Sequence, residues 1–211
     1  MRLLLFDTET TGLPPKYENK VNERNALLWP YILQFSYVLF DTETNMVTKK
    51  FDSIIKIPAA ITINQESVKI HNITREKSDT EGVSIIPVIE EFMDDLKESD
   101  LLIGHNIEFD LNMIHAAIMR NKEELGKFQS LLANQKTYCT MRETTQFCCL
   151  ESPYYGKNYN KLKAPKLVEL YEKLFNEKPE LTLHNSLNDV LVTLRCYMKF
   201  KYDRDVKFIL H

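Results

Sequence analysis

A short apolar run at the start of the chain, Leu3-Leu4-Leu5-Phe6, ends in two carboxylates, Asp7 and Glu9, set two residues apart. A run so short and so uniformly apolar reads as a buried strand. Strand side chains alternate between faces with period two, so Asp7 and Glu9 project on one side, just where the strand leaves the core. Two like charges held that close repel unless something positive lies between them. A divalent cation with oxygen ligands supplies that charge.

The chain carries its own control. Phe6-Asp7-Thr8-Glu9-Thr10 recurs as Phe40-Asp41-Thr42-Glu43-Thr44, again after an apolar run, Ile32 to Leu39. The second copy continues into Asn45-Met46-Val47, whereas the first continues into Thr11-Gly12-Leu13. Asp, Thr and Asn favour turns, so the second copy reads as a solvated hairpin turn. The paired carboxylates alone are therefore a weak signal. Thr11-Gly12-Leu13 and two segments far along the chain make the first copy specific.

With 211 residues, one domain over 1–200 and a short tail over 201–211 are expected. Hydrophobic content of 44% and charged content of 27% are ordinary for a soluble globular chain. No apolar run reaches membrane-spanning length, and Met1–Phe6 is too short for a signal-peptide core, so a cytoplasmic location is expected. Cys139, Cys148, Cys149 and Cys196 show no C-x-x-C spacing and read as reduced thiols without structural zinc. Net charge is −3, so a nucleic-acid role would have to rest on a local positive site, which a bound cation would provide.

Periodicity predicts strands over 2–7, 32–40, 47–57 and 101–104, the second and third joined by a hairpin at Asn45. Helices are predicted over 84–97, with Ser84 as cap; over 109–122; over 164–175, with Pro165 in the first turn; and over 186–200. Residues 14–30 form a polar, turn-rich excursion. Strands in a meander, then alternating helices and strands, give an α/β fold with a mixed sheet covered by helices.

Two later segments carry candidate chemistry. In Gly104-His105-Asn106-Ile107-Glu108-Phe109-Asp110 a strand ends and a helix begins, with Asn106 a good N-cap and Asp110 near the first turn. Asp110 there either complements the helix dipole or joins an acidic site. In His184-Asn185-Ser186-Leu187-Asn188-Asp189 the His and Asp are five apart, about 140° around a continuous helix, so they share a cleft only if His184 precedes the helix. Alternatively Ser186 and Asp189 form a helix-start pair and His184 is a solvated loop residue.

Together the three segments resemble the DEDDh, or DnaQ-like, family of 3′–5′ exonucleases. The family's motifs appear in order: D-x-E-x-T-G-L at Asp7, Glu9, Thr11, Gly12 and Leu13; H-N-x-x-F-D at His105, Asn106, Phe109 and Asp110; and H-x-x-x-x-D at His184 and Asp189. Weaker signals are Ile70-His71-Asn72-Ile73-Thr74, where relatives often carry Gly in place of Asn72, Tyr138-Cys139-Thr140-Met141, and Pro165-Lys166-Leu167. The resemblance implies a ribonuclease-H-like α/β/α sandwich. It implies that Asp7, Glu9, Asp110 and Asp189 hold two divalent cations, Mg²⁺ or Mn²⁺, and that His184 is the general base. It points to Thr10, Thr11, Gly12, Leu13, His105, Asn106 and Phe109 as substrate contacts, each with an equally available structural role.

Such a site suits phosphodiester hydrolysis. Two cations about 3.5–4 Å apart relieve charge on the phosphate and the leaving oxygen. Hard oxygen ligands select Mg²⁺ or Mn²⁺ over zinc. A histidine titrating near neutrality can take a proton from the attacking water. The expected function is release of nucleoside 5′-monophosphates from single-stranded 3′ ends, DNA favoured, with RNA trimming as the alternative. A polymerase or replication complex is a candidate partner. A noncatalytic nucleic-acid-binding domain is the competing class, and the intact five-residue set argues against it. Finally, Tyr154, Tyr155, Lys157, Tyr159, Lys161 and Lys163 interleave aromatics with cations, either to hold a single strand or as a Tyr-rich loop packed on the core.

Overall fold

The computed structural model describes residues 1–16, 18, 20–122, 125–152 and 162–206. A five-stranded sheet runs in the order β3-β2-β1-β4-β5, from β1 (Arg2–Thr10), β2 (Ile32–Asp41), β3 (Met46–Ile54), β4 (Leu101–Gly104) and β5 (Thr137–Cys139). β1 pairs antiparallel with β2 and parallel with β4, so the sheet is mixed, as the sequence pattern predicts. The helices are α1 (Gln65–His71), α2 (Arg75–Glu81), α3 (Ile85–Lys97), α4 (Ile107–Arg120), α5 (Leu125–Asn134), α6 (Thr140–Glu143), α7 (Thr145–Cys148), α8 (Leu167–Phe175) and α9 (Ser186–Tyr202).

Alternation along β1 builds the layers. Leu4 and Phe6 face one side, joining Phe35, Phe92 of α3 and Met113 and Ile114 of α4 in one buried cluster. Leu3 and Leu5 face the other, joining Val38, Ile103 and Val190, Leu191, Leu194 and Met198 of α9. Helices thus cover both faces of the sheet, the α/β/α arrangement. Each of those β1 leucines is fully buried, worth roughly 1.5–3 kcal/mol apiece. Because the period is two, Asp7 and Glu9 continue the row of Leu3 and Leu5 and emerge on the α9 side.

Several boundaries differ from expectation. β1 continues to Thr10, because Asp7 to Glu9 keep pairing with Ser36 to Gln34. α4 begins at Ile107, directly after β4; a Cβ on Gly104 would lie 3.1 Å from the Ile107 side chain, which explains the glycine. α8 begins at Leu167, leaving Pro165 ahead of the helix. α1 and α2 have no signature in the apolar pattern: each is seven residues long, and α2 holds no apolar residue. Side-chain caps define them instead, Asn64 accepting from Glu66 N–H and Thr74 from Lys77 N–H. β5 has three residues, too few for alternation to show.

The second Asp-Thr-Glu-Thr copy is the expected turn. Asp41 accepts the Glu43 N–H at 2.8 Å, and Asn45 is left-handed, with φ 59°. The Tyr–Lys segment 154–161 lies outside the described residues. It is bracketed by β6 (Leu150–Glu151) and β7 (Leu162–Lys163), which pair antiparallel, and Lys163 is engaged by Glu169 at 2.5 Å. Among the described residues no helix is long and apolar enough to cross a membrane.

Candidate active site

Three elements deliver the acidic residues to one end of the sheet. β1 brings Asp7 and Glu9, α4 brings Asp110, and α9 brings Asp189. One carboxylate oxygen from each of Asp7, Glu9 and Asp189 lies within 4.8 Å of the others. Asp110 stands beside this trio with its own oxygen engaged: Oδ1 accepts Thr8 N–H at 3.1 Å and Thr8 Oγ1–H at 2.7 Å. Thr8 points away from Asp7 and Glu9 by alternation, so β1 presents acids on one face and the clamp for a fourth acid on the other.

The electrostatics fit a cation site. Burial pushes Asp7 well above the carboxylate range, and Asp110, Asp189 and Glu9 add to the push. Burial, then Asp189 and Asp110, raise Glu9 to about 8. Burial raises Asp110 and Asp189 to about 7, against opposing hydrogen bonds from Thr8 and from the His184 backbone respectively. Carboxylates gathered at such a cost to their ionised forms are the donor set a hard divalent ion requires. The residues fit the divalent metal that the resemblance implies.

His184 precedes α9, as its spacing from Asp189 demands. Its backbone is left-handed, with φ 67°, and its N–H donates to both Asp189 oxygens, at 3.2 and 3.3 Å. The helix is capped by Asn185, which accepts from Asn188 N–H at 3.3 Å, rather than by Ser186. The His184 side chain is exposed and close enough to His71 to depress it further, after burial has lowered it.

The expected substrate contacts divide. Leu13 is 85% exposed at the end of the first motif. Thr10 and Thr11 are buried and shape the turn themselves: Thr10 Oγ1 donates to Gly12 O at 2.8 Å, and Thr11 Oγ1 accepts Tyr31 N–H at 2.9 Å. Both His105 nitrogens are engaged by the protein, Nε2 donating to Pro165 O at 3.1 Å and Nδ1 accepting from Thr140 Oγ1 at 2.9 Å. Burial lowers His105 to about 4, which keeps it in this neutral form. It therefore ties β4 to α6 and to the approach of α8. Asn106 sits at the N-cap position of α4 but is left-handed, with φ 74°, and its side chain makes no cap bond. It is exposed, whereas Phe109 is half-buried against the core.

Sequence reasoning missed the residues behind the acids. Thr8 stands in the first motif only as a spacer between Asp7 and Glu9. His71 belongs to a weak motif that suggests no role for it, yet its Nδ1 accepts Ile73 N–H at 3.0 Å, which directs Nε2–H onto Thr10 O at 3.2 Å. Gln34 and Ser36 are polar alternates inside an otherwise apolar strand, on the face of Glu9 and Asp7 by register, and that alternation was the available signal.

A family model described as RNase_T exonuclease matches residues 4–197. A search of the curated proteins finds no relative. Among solved structures, exonuclease I is similar at TM-score 0.70 and 15% identity, covering 96% of this chain and 42% of its own. E. coli exonuclease I in complex with a dA16 oligonucleotide is similar at TM-score 0.68 and 18% identity, covering 96% and 41%. A 3′-exonuclease that recognises the histone mRNA stem-loop is similar at TM-score 0.68 and 15% identity, covering 97% of this chain and 83% of its own. This chain thus spans less than half the length of the exonuclease I chains it matches. With the motifs, the acidic cluster and a family match over nearly the whole chain in agreement, the chain belongs to the RNase T exonuclease family, the DnaQ-like 3′–5′ exonucleases of ribonuclease-H-like fold.

Proposed function

We propose that the protein removes nucleotides from single-stranded 3′ ends with two divalent cations, Mg²⁺ or Mn²⁺, held by Asp7, Glu9, Asp110 and Asp189. The observation that carries this is the convergence of three carboxylate oxygens within 4.8 Å, with Asp110 clamped beside them and His184 anchored at Asp189. The cations, when bound, supply Lewis-acid relief of charge on the phosphate and on the departing oxygen. His184 takes the proton of the attacking water on its imidazole. A bond forms from that water to phosphorus, the bond to the 3′ oxygen breaks, that oxygen takes a proton from solvent to become the new 3′ hydroxyl, and a nucleoside 5′-monophosphate leaves. Thr8 keeps one Asp110 oxygen turned toward β1, so the carboxylate cannot rotate freely during the reaction.

The turn after Glu9 suits a terminal nucleotide. Its backbone is fixed on both sides, Thr11 N–H donating to Tyr31 O at 2.9 Å and Thr11 O accepting Asn64 N–H at 2.8 Å. Gly12 has no left-handed angle, and among the described residues a Cβ there would meet only Asn64, at 3.7 Å. Packing among the described residues leaves room for a side chain there, so we assign that glycine to close approach of a nucleotide to the backbone. Exposed Leu13 offers an apolar surface to the base. His105 supports the site from behind, while Asn106 and Phe109 flank it.

DNA is the first reading, since exonuclease I structures hold dA16 and dT13 oligonucleotides. RNA is the second, since the histone mRNA exonuclease is matched over far more of its length. The polymerase partner expected from sequence has no support in these comparisons. Rates on DNA and RNA strands of identical sequence, at equal Mg²⁺, separate the two: faster loss of RNA would overturn the DNA assignment.

A further inference from the structure

Behind the acidic cluster a hydrogen-bonded chain runs from β3 through β2 and α9 to the backbone of Asp7 on β1. Asp52, on the edge strand β3, accepts at Oδ1 from Ser36 Oγ and from Gln34 Nε2, each at 2.7 Å. The other end of that amide, Gln34 Oε1, accepts the backbone N–H of Ser186 at 3.2 Å. Ser186 Oγ donates to the carbonyl oxygen of Asp7 at 2.6 Å. The amide orientation is dictated by its Ser186 end, because a backbone N–H only donates.

Gln34 is 3% exposed and Ser186 is fully buried. Polar groups so deep gain little over well-packed apolar ones unless their geometry is used. Here it joins two residues that hold carboxylates. Ser186 lies within one turn of Asp189, and its hydroxyl grips the backbone of Asp7 itself. Asp7 comes from a strand and Asp189 from a helix packed on it, so a direct tie from the helix to the Asp7 backbone fixes their spacing better than side-chain packing alone.

We infer that Gln34 and Ser186 are positioning residues that set the separation of the Asp7 and Asp189 carboxylates, and thereby the affinity of the cluster for its cation. The inference rests on the metal reading above. Outer partners of metal ligands commonly change affinity by about 10–100-fold when lost.

The test is Mn²⁺ titration of the purified protein by calorimetry, with apo-protein melting measured alongside. Gln34→Met and Ser186→Ala should weaken Mn²⁺ binding roughly 10-fold. Their combination should cost little more than either alone, since both break one chain. Asp52→Ala should weaken binding as well, and Asp52→Asn, which retains the acceptor oxygen, should restore it. Should Ser186→Ala fail to fold, Asp52→Ala, on the exposed rim, carries the same test. Lowered melting temperatures with unchanged Mn²⁺ affinity would make the chain merely structural and overturn the inference. Absence of Mn²⁺ binding by the wild type would instead remove the metal reading, and this inference with it.

Discussion

Replacing Glu9 with glutamine should stabilise the metal-free protein at pH 8.5 and leave it unchanged at pH 4. Burial and the neighbouring Asp189 and Asp110 raise Glu9 from 4.5 to about 8. Between those values the folded state holds more protons than the unfolded chain, so stability falls as pH rises through the interval. Below it both states are protonated and carry no penalty; above about 8 both are ionised and the full penalty applies. The gap between 4.5 and about 8, at about 1.4 kcal/mol per unit, corresponds to about 5 kcal/mol. Water drawn in around a side chain that is not fully buried recovers part of this, leaving an expected gain of about 2–3 kcal/mol. For a chain of this length that is a rise of roughly 4–12 °C in Tm. Thermal melts in EDTA at the two pH values measure it directly. Adding Mn²⁺ at pH 8.5 should then reverse the ranking, because only the wild type keeps the full ligand set. A gain of equal size at pH 4, or a loss at pH 8.5 in EDTA, would refute the view that Glu9 sits under repulsive strain.

Asp7→Ala should abolish nuclease activity without unfolding the protein, while the matched Asp41→Ala should leave activity intact; equal loss in both, measured by nucleotide release, would mean the wrong copy had been assigned. His184→Ala should lower turnover roughly 10²–10⁴-fold with little change in Mn²⁺ affinity, and raising the pH should recover part of it. Arg120, whose Nη1 donates to Trp29 O at 2.8 Å and Pro30 O at 3.0 Å and whose guanidinium stacks 3.8 Å from the Tyr31 ring, anchors the excursion between β1 and β2. Arg120→Ala should cost roughly 2–3 kcal/mol in urea unfolding, with the carbonyls left unpaired as the main cause.

What the sequence disclosed depended on how each feature is encoded. Strand alternation is local, so Leu3 to Glu9 revealed both the buried strand and the shared face of Asp7 and Glu9. The turn at His184 was implied by arithmetic: a residue five before Asp189 cannot share its helical face unless the chain turns before the helix. The clamps were hidden because their partners are remote in sequence. Thr8 reaches Asp110 across 102 residues and Ser186 reaches Asp7 across 179, and no local period records such pairings. The short helices α1 and α2 were hidden for a different reason, since caps rather than an apolar stripe define them. Asn106 misled in the opposite sense: it occupies the capping position, but its backbone is left-handed and its side chain makes no cap bond.

The most direct measurement tracks one single-stranded oligonucleotide labelled in turn at its 3′ and its 5′ end, in Mg²⁺ and in EDTA. In Mg²⁺ the 3′-labelled strand should release labelled mononucleotide from the first turnovers, while the 5′-labelled strand shortens one nucleotide at a time; in EDTA both should stay intact. Early release of mononucleotide from the 5′-labelled strand, internal cuts, or undiminished hydrolysis in EDTA would contradict a metal-dependent 3′–5′ exonuclease centred on Asp7, Glu9, Asp110 and Asp189.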